Sequence, residues 1–162
     1  MLSLEIMSIS SALLEKQAAA ELEKCNSYTA RYGLILSHRD ALELVGTRSL
    51  ALKSNGRIEF GGGVLARIIR EFCTSPYLTM DNYVETLHDL TNLFYYYKNE
   101  TLDLLSDDEL IKFMKEKFDG VCQGSLELLS GRELERMARD LRYGASAGFA
   151  EDSPDDEENE DD

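Results

Sequence analysis

The chain has 162 residues, 43% of them apolar, with three cysteines, two prolines and a formal net charge of −14. That length suits one domain able to bury a core, and no apolar run approaches the ~18 residues that would span a bilayer. An acidic excess on this scale argues against nucleic acid or an anionic membrane as a partner of the whole chain.

The charge is unevenly spread: residues 151–162 hold nine acids and no base, which leaves −5 for the rest. The opening residues carry Glu5 and no cationic stretch, so they do not read as a signal peptide. Cys25, Cys73 and Cys122 are odd in number, widely spaced and lack a CxxC pair. They are expected to be reduced, mostly core thiols of a cytoplasmic protein.

A first helix is expected from about Ser10 to Asn26, with Leu14, Ala18, Leu22 and Cys25 on one face. Tyr28 and Tyr32 follow, near a stop at Gly33, and Leu34-Ile35-Leu36 is a short apolar connector. Ser37 caps a second helix that Asp40 favours in its first turn and that ends at Ser54-Asn55-Gly56. Gly46 inside it costs on the order of 1 kcal/mol. Ile58-Glu59-Phe60 is expected to be extended, a candidate strand to set beside residues 34–36. A third helix over residues 63–74 places Val64, Leu65, Ile68, Ile69, Phe72 and Cys73 on one broad face, and Ser75-Pro76 stops it.

The fourth helix, about Asp81 to Asn99, carries Tyr83, Leu87, Leu90, Phe94 and Tyr97 inward, leaving Tyr95 and Tyr96 for an interface. Ser106-Asp107-Asp108-Glu109 is a capping-box pattern opening a fifth helix to about Phe118. Asp119-Gly120 turns the chain, and Ser125 to Leu129 forms a short helix. Ser130-Gly131-Arg132-Glu133 repeats the capping pattern before a last helix ending at Gly144. The resulting expectation is a mainly α, single-domain bundle of five to six helices over residues 1–144, with a small two-stranded patch as an optional addition. Residues 145–162 read as a disordered acidic tail.

Gly61-Gly62-Gly63 is the most informative stretch. Three residues without Cβ imply positive φ, a close backbone approach or room for a ligand, and a helix start just beyond them offers N–H groups to an anion. The triplet lacks the spacing and lysine of a phosphate loop. Together with Glu59 and Cys122 it is the candidate ligand-binding set. Cys122, between glycines in Asp119-Gly-Val-Cys-Gln-Gly124, is the one thiol in a reactive-looking setting.

A second candidate pairs Glu85-x-x-His88 with Glu100-x-x-Asp103 as ligands for Mg²⁺ or Mn²⁺, a pattern broadly similar to the paired acids of helical NTP pyrophosphohydrolases. Helical periodicity argues against it, because the inward positions Leu87, Leu90 and Phe94 turn Glu85 and His88 outward. Arg132, Arg136, Arg139 and Arg142 share the outer side of the last helix, where the acidic tail has a docking strip. No cofactor is called for by any motif.

Taken together, Arg31-Tyr-Gly-Leu34, Gly56-Arg-Ile-Glu-Phe-Gly-Gly-Gly63, Phe72-Cys-Thr-Ser-Pro-Tyr77, Phe94-Tyr-Tyr-Tyr-Lys-Asn-Glu100 and Leu105-Ser-Asp-Asp-Glu-Leu110, with Phe118-Asp-Gly120 and Gly124-Ser-Leu-Glu127, resemble a bacterial family known only as a domain of unknown function. The resemblance spans roughly residues 25–130. It implies a bacterial, cytoplasmic, single-domain protein and carries over no activity, cofactor or catalytic residue.

Three functional readings follow. The leading one is a non-catalytic interaction or regulatory protein with a protein partner, because no catalytic constellation stands out from ordinary core and surface patterns. The second is a small-ligand or nucleotide-phosphate binder or hydrolase using the 61–63 loop. The third is a metal-dependent hydrolase built on Glu85, His88, Glu100 and Asp103. The balance leans away from an enzyme, and the oligomeric state is left open.

Overall fold

The computed structural model describes residues 4–144, and its regular structure among these is helical, with no strand. Helix α1 (Leu4–Lys24) begins ahead of the expected Ser10, since neither glycine nor proline interrupts residues 4–10. A short helix, α2 (Asn26–Thr29), tightens into a 3₁₀ turn, Ala30–Tyr32, and stops at Gly33 with φ +78°. Helix α3 (His38–Ser54) is capped as expected: Ser37 Oγ accepts the Asp40 N–H. Then come α4 (Gly63–Phe72) and α5 (Tyr83–Glu100). Helix α6 (Asp107–Asp119) opens on a complete Ser106/Glu109 capping box. Its reciprocal hydrogen bonds from the Ser106 and Glu109 backbone N–H groups are 2.8 and 3.1 Å long.

The C-terminal part departs from expectation. Ser125 Oγ caps α7 (Leu126–Leu128), and the chain then stays helical through a π turn (Leu129–Leu134), α8 (Glu135–Arg139) and a second π turn (Asp140–Gly144). Ser130 therefore sits inside a helical run and caps nothing. The Ser-x-x-Glu pattern there is coincidental: Glu133 is buried and pairs with the adjacent Arg132 instead.

The two-stranded patch is also corrected. Asn26 reads both backbone groups of Leu36, donating to its carbonyl at 2.9 Å and accepting its N–H at 2.8 Å. The Leu34 carbonyl accepts from Thr29 Oγ1, its N–H reaches the Thr29 carbonyl, and the Ile35 N–H points at Met80 Sδ. With these groups taken, residues 34–36 are not a ladder partner for residues 58–60.

One apolar core runs through the described residues. Helix α1 packs on α3, α3 on α5, and α5 also meets α4, α6 and α8. Helix α5 is thus the central element, buried on most of its circumference, and Tyr95 belongs to the core rather than to an interface. Tyr96 alone of the tyrosine triplet is exposed. No helix among the described residues is long and apolar enough to cross a membrane.

Candidate functional site

Residues 57–61 form a strap without regular structure that turns at Gly61, running from the end of α3 to the start of α4, and with α1 and α3 they enclose a cleft of about 810 Å³. Leu14, Leu50, Ile58 and Phe60 line it while remaining 53%, 70%, 80% and 75% exposed. Glu15, Glu21, Arg48 and Glu59 supply the polar lining, with Lys53 and Arg57 at one end.

The strap is held by a network that begins at Arg48, a guanidinium only 4% exposed on the apolar face of α3. Arg48 Nη1 donates to the Gly61 carbonyl at 2.7 Å and lies 3.8 Å from Glu59 Oε1. Glu59 also accepts the Val64 N–H at 3.3 Å and the Tyr95 hydroxyl at 2.6 Å. From α1, Glu21 accepts the Gly62 N–H at 2.7 Å. Two carboxylates thus face the N-terminus of α4, where the helix dipole favours negative charge. The helix start is not bare: the chain supplies its own anions. Burial, and then the Glu59 carboxylate, push the Tyr95 phenol well above its usual range. Arg48 Nε has no hydrogen-bond partner among the described residues.

This network explains the glycines. Gly61 and Gly63 have φ of +61° and +51°, as three adjacent residues without Cβ suggested. A Cβ on Gly61 would lie 2.7 Å from Glu21 Oε1, and one on Gly63 would lie 2.5 Å from Glu59 Oε1 and 3.1 Å from Arg48 Nη1. Gly62 has ordinary helical angles, but a Cβ there would meet that of Ala66 at 2.9 Å. Farther along, Arg57 clamps the strap to the end of α5, donating to Asn99 Oδ1 at 2.7 Å and to Asp103 at 3.0 Å.

Of the candidate ligand set, Glu59 and Gly61 line the cleft, Gly62 and Gly63 sit behind it, and Cys122 is elsewhere. Cys122 is 1% exposed near the end of α6, and burial, followed by the Glu133 charge, pushes its thiol up. The reactive-looking setting between glycines is a packed loop: a Cβ on Gly124 would strike the Tyr77 ring at 2.6 Å.

The Glu85, His88, Glu100 and Asp103 quartet is dispersed. Glu85 is exposed, and His88 shares a 2.7 Å hydrogen bond with Thr47. Glu100 pairs with Arg142 at 3.0 Å, and Asp103 serves Arg57. Among the described residues, no group of three or more His, Cys, Asp or Glu is arranged to hold a metal ion.

The arginine strip is divided. Arg132 and Arg142 are engaged by Glu133 and Glu100, whereas Arg136 and Arg139 stay exposed. The acidic tail expected to dock there lies outside the described residues. Within the cleft, Ser49 Oγ donates to Glu15 at 3.0 Å, but neither histidine lines it, so no hydroxyl–imidazole pair forms there.

The chain belongs to a family of unknown function (DUF6323), which it matches over residues 21–147. No curated protein and no solved structure matches it.

Proposed function

We propose that this chain is a non-catalytic interaction protein of the bacterial cytoplasm, and that its cleft between α1, α3 and the 57–61 strap receives a segment of a partner protein. One observation carries this reading: four large apolar side chains stay open around the cleft, while Glu21 and Glu59 beside them are committed to holding the strap. Exposed apolar surface gathered in one place marks binding rather than chemistry.

Site-specific photo-crosslinking of the full chain in a bacterial cytoplasm tests this. A benzophenone side chain at Leu50 should yield a discrete protein adduct that the same group at exposed Arg39, outside the cleft, does not. The purified partner should then bind the full chain at least tenfold more weakly after Leu50→Asp, with folding unchanged by circular dichroism. Equal binding by both proteins refutes the reading.

A second reading, a small-ligand binder, is favoured by one specific observation: the unpartnered Nε of buried Arg48 beside a cleft whose volume falls within the ligand-pocket range of roughly 300–1,000 Å³. Under it, a small carboxylate or phosphate compound would raise the melting temperature, and Lys53→Ala would reduce that rise.

A further inference from the structure

Residues 57–60 have the side-chain alternation of a β-strand without belonging to a sheet. Ile58 and Phe60 project outward, while Glu59 between them turns in to Tyr95 and Arg48. At the two ends, the backbone is tied: the Arg57 N–H reaches the Leu52 carbonyl at 2.9 Å, and the Gly61 carbonyl accepts from Arg48. Between these ties, the backbone N–H and C=O groups of Ile58 and Glu59 and the Phe60 N–H have no hydrogen-bond partner among the described residues, while the Phe60 carbonyl enters the turn that leads into α4. In a locally extended chain the Ile58 N–H and C=O and the Phe60 N–H face one edge together. Such an edge is a template for another chain, and the segment that resembles its partner, residues 34–36, has its own backbone groups engaged.

We infer that the strap is a strand-addition site: an extended segment of another protein, apolar at alternate positions and neutral or basic overall, pairs with the backbone of Ile58 and Phe60. Its apolar side chains lie against Ile58, Phe60, Leu14 and Leu50. This rests on the interaction-protein reading and adds the mode of capture and the chemistry of the partner. A second copy is the poorer occupant for two reasons. Each copy carries −14, so self-association opposes like charge. Four exposed side chains also fall short of the roughly 800 Å² per partner that stable interfaces bury, whereas a short strand needs only a backbone edge and pockets for alternate side chains. The strap is preorganised for this, because Glu59 and Arg57 fix it from opposite sides before any partner arrives.

The test uses the full chain and acetylated, amidated hexapeptides with Val, Ile or Phe at alternate positions and Lys between them. Each is paired with a copy N-methylated at the residues whose amides would face the strap. Binding is followed by fluorescence anisotropy, and amide hydrogen exchange by NMR. The expected result is at least one peptide that binds, slows exchange at Ile58 and Phe60 tenfold or more, and loses at least tenfold in affinity on N-methylation or with Phe60→Ser. Equal binding of the methylated and unmethylated peptides, or unchanged exchange at residues 58 and 60, overturns strand addition. If the Leu50 adduct still forms in that case, the cleft reading survives alone. No binding by any peptide at about 1 mM overturns the inference, as does a wild-type dimer that Phe60→Ser dissociates.

Discussion

Adding a single methyl group at different glycines should separate backbone strain from the carboxylate network. Gly33 and Gly63 both have positive φ, +78° and +51°, but nothing lies within 4 Å of a Cβ built on Gly33, whereas one on Gly63 overlaps Glu59 Oε1 at 2.5 Å. Gly33→Ala should therefore cost only the left-handed backbone penalty, roughly 1–2 kcal/mol. Gly63→Ala pays the same penalty and also displaces Glu59, stripping the Val64 N–H and the Tyr95 hydroxyl of their acceptor. A partly buried donor left unsatisfied costs about 1–3 kcal/mol, so with two donors affected the total should reach at least about 3 kcal/mol. Gly61→Ala, which displaces only Glu21 from the Gly62 N–H, should fall between the two. Urea unfolding with a common m-value measures the series. If Gly63→Ala costs within about 0.5 kcal/mol of Gly33→Ala, Glu59 relocates freely and the network does not hold the strap.

Three other outcomes follow from single elements. Burial pushes the Tyr97 phenol from 10.0 up to about 12, with Glu135 as the next cause. A raised phenol stabilises the fold fully below its unfolded value, so stability should fall as pH climbs from about 10 to 12. Tyr97→Phe should flatten that slope in chemical denaturation. Ser106→Ala should cost about 1 kcal/mol through loss of a real cap, while Ser130→Ala, inside a helical run, should stay within about 0.5 kcal/mol; equal costs would contradict the π-turn assignment. The thiols of Cys25, Cys73 and Cys122 are buried and pushed up by desolvation. Labelling by a disulfide reagent at pH 8 should therefore wait on unfolding, and a fast-reacting Cys122 would reopen the case for a reactive loop.

Local signals made the helices legible, because caps and breakers act over three or four residues: Ser37, Ser106, Gly33 and Pro76 each mark a boundary close to where it falls. The same locality misled at Ser130, where the pattern of a cap is present but the chain is already helical. Tyr95 was misplaced for a different reason. A single inward stripe assumes a helix with one buried face, and α5 is enclosed by α3, α4, α6 and α8. The cleft was half legible. The glycines pointed to the strap, but Glu21 and Arg48 are distant in sequence and were missed. Arg48 did leave a trace, because it interrupts the apolar series Ala41, Leu44, Val45, Leu52 at a position facing the core. A charged residue on such a stripe demands a buried partner, and Glu59 is the acid that meets it.

That pairing links the core to the surface. Glu59 is the inward residue of the strap, so the positions of Ile58 and Phe60 on either side depend on Arg48 and Tyr95 beneath. A change made only in the core, Tyr95→Phe, removes one donor to Glu59 while leaving every residue that lines the cleft unaltered. It should cost about 1–2 kcal/mol in stability, and it should also speed amide exchange at Ile58 and Phe60, because local opening grows as anchoring contacts are lost. Urea unfolding and NMR exchange on one sample measure both. Lost stability with unchanged exchange at residues 58 and 60 would mean that the strap keeps its shape through Arg57 and Asp103 alone, and that its order owes nothing to the network below.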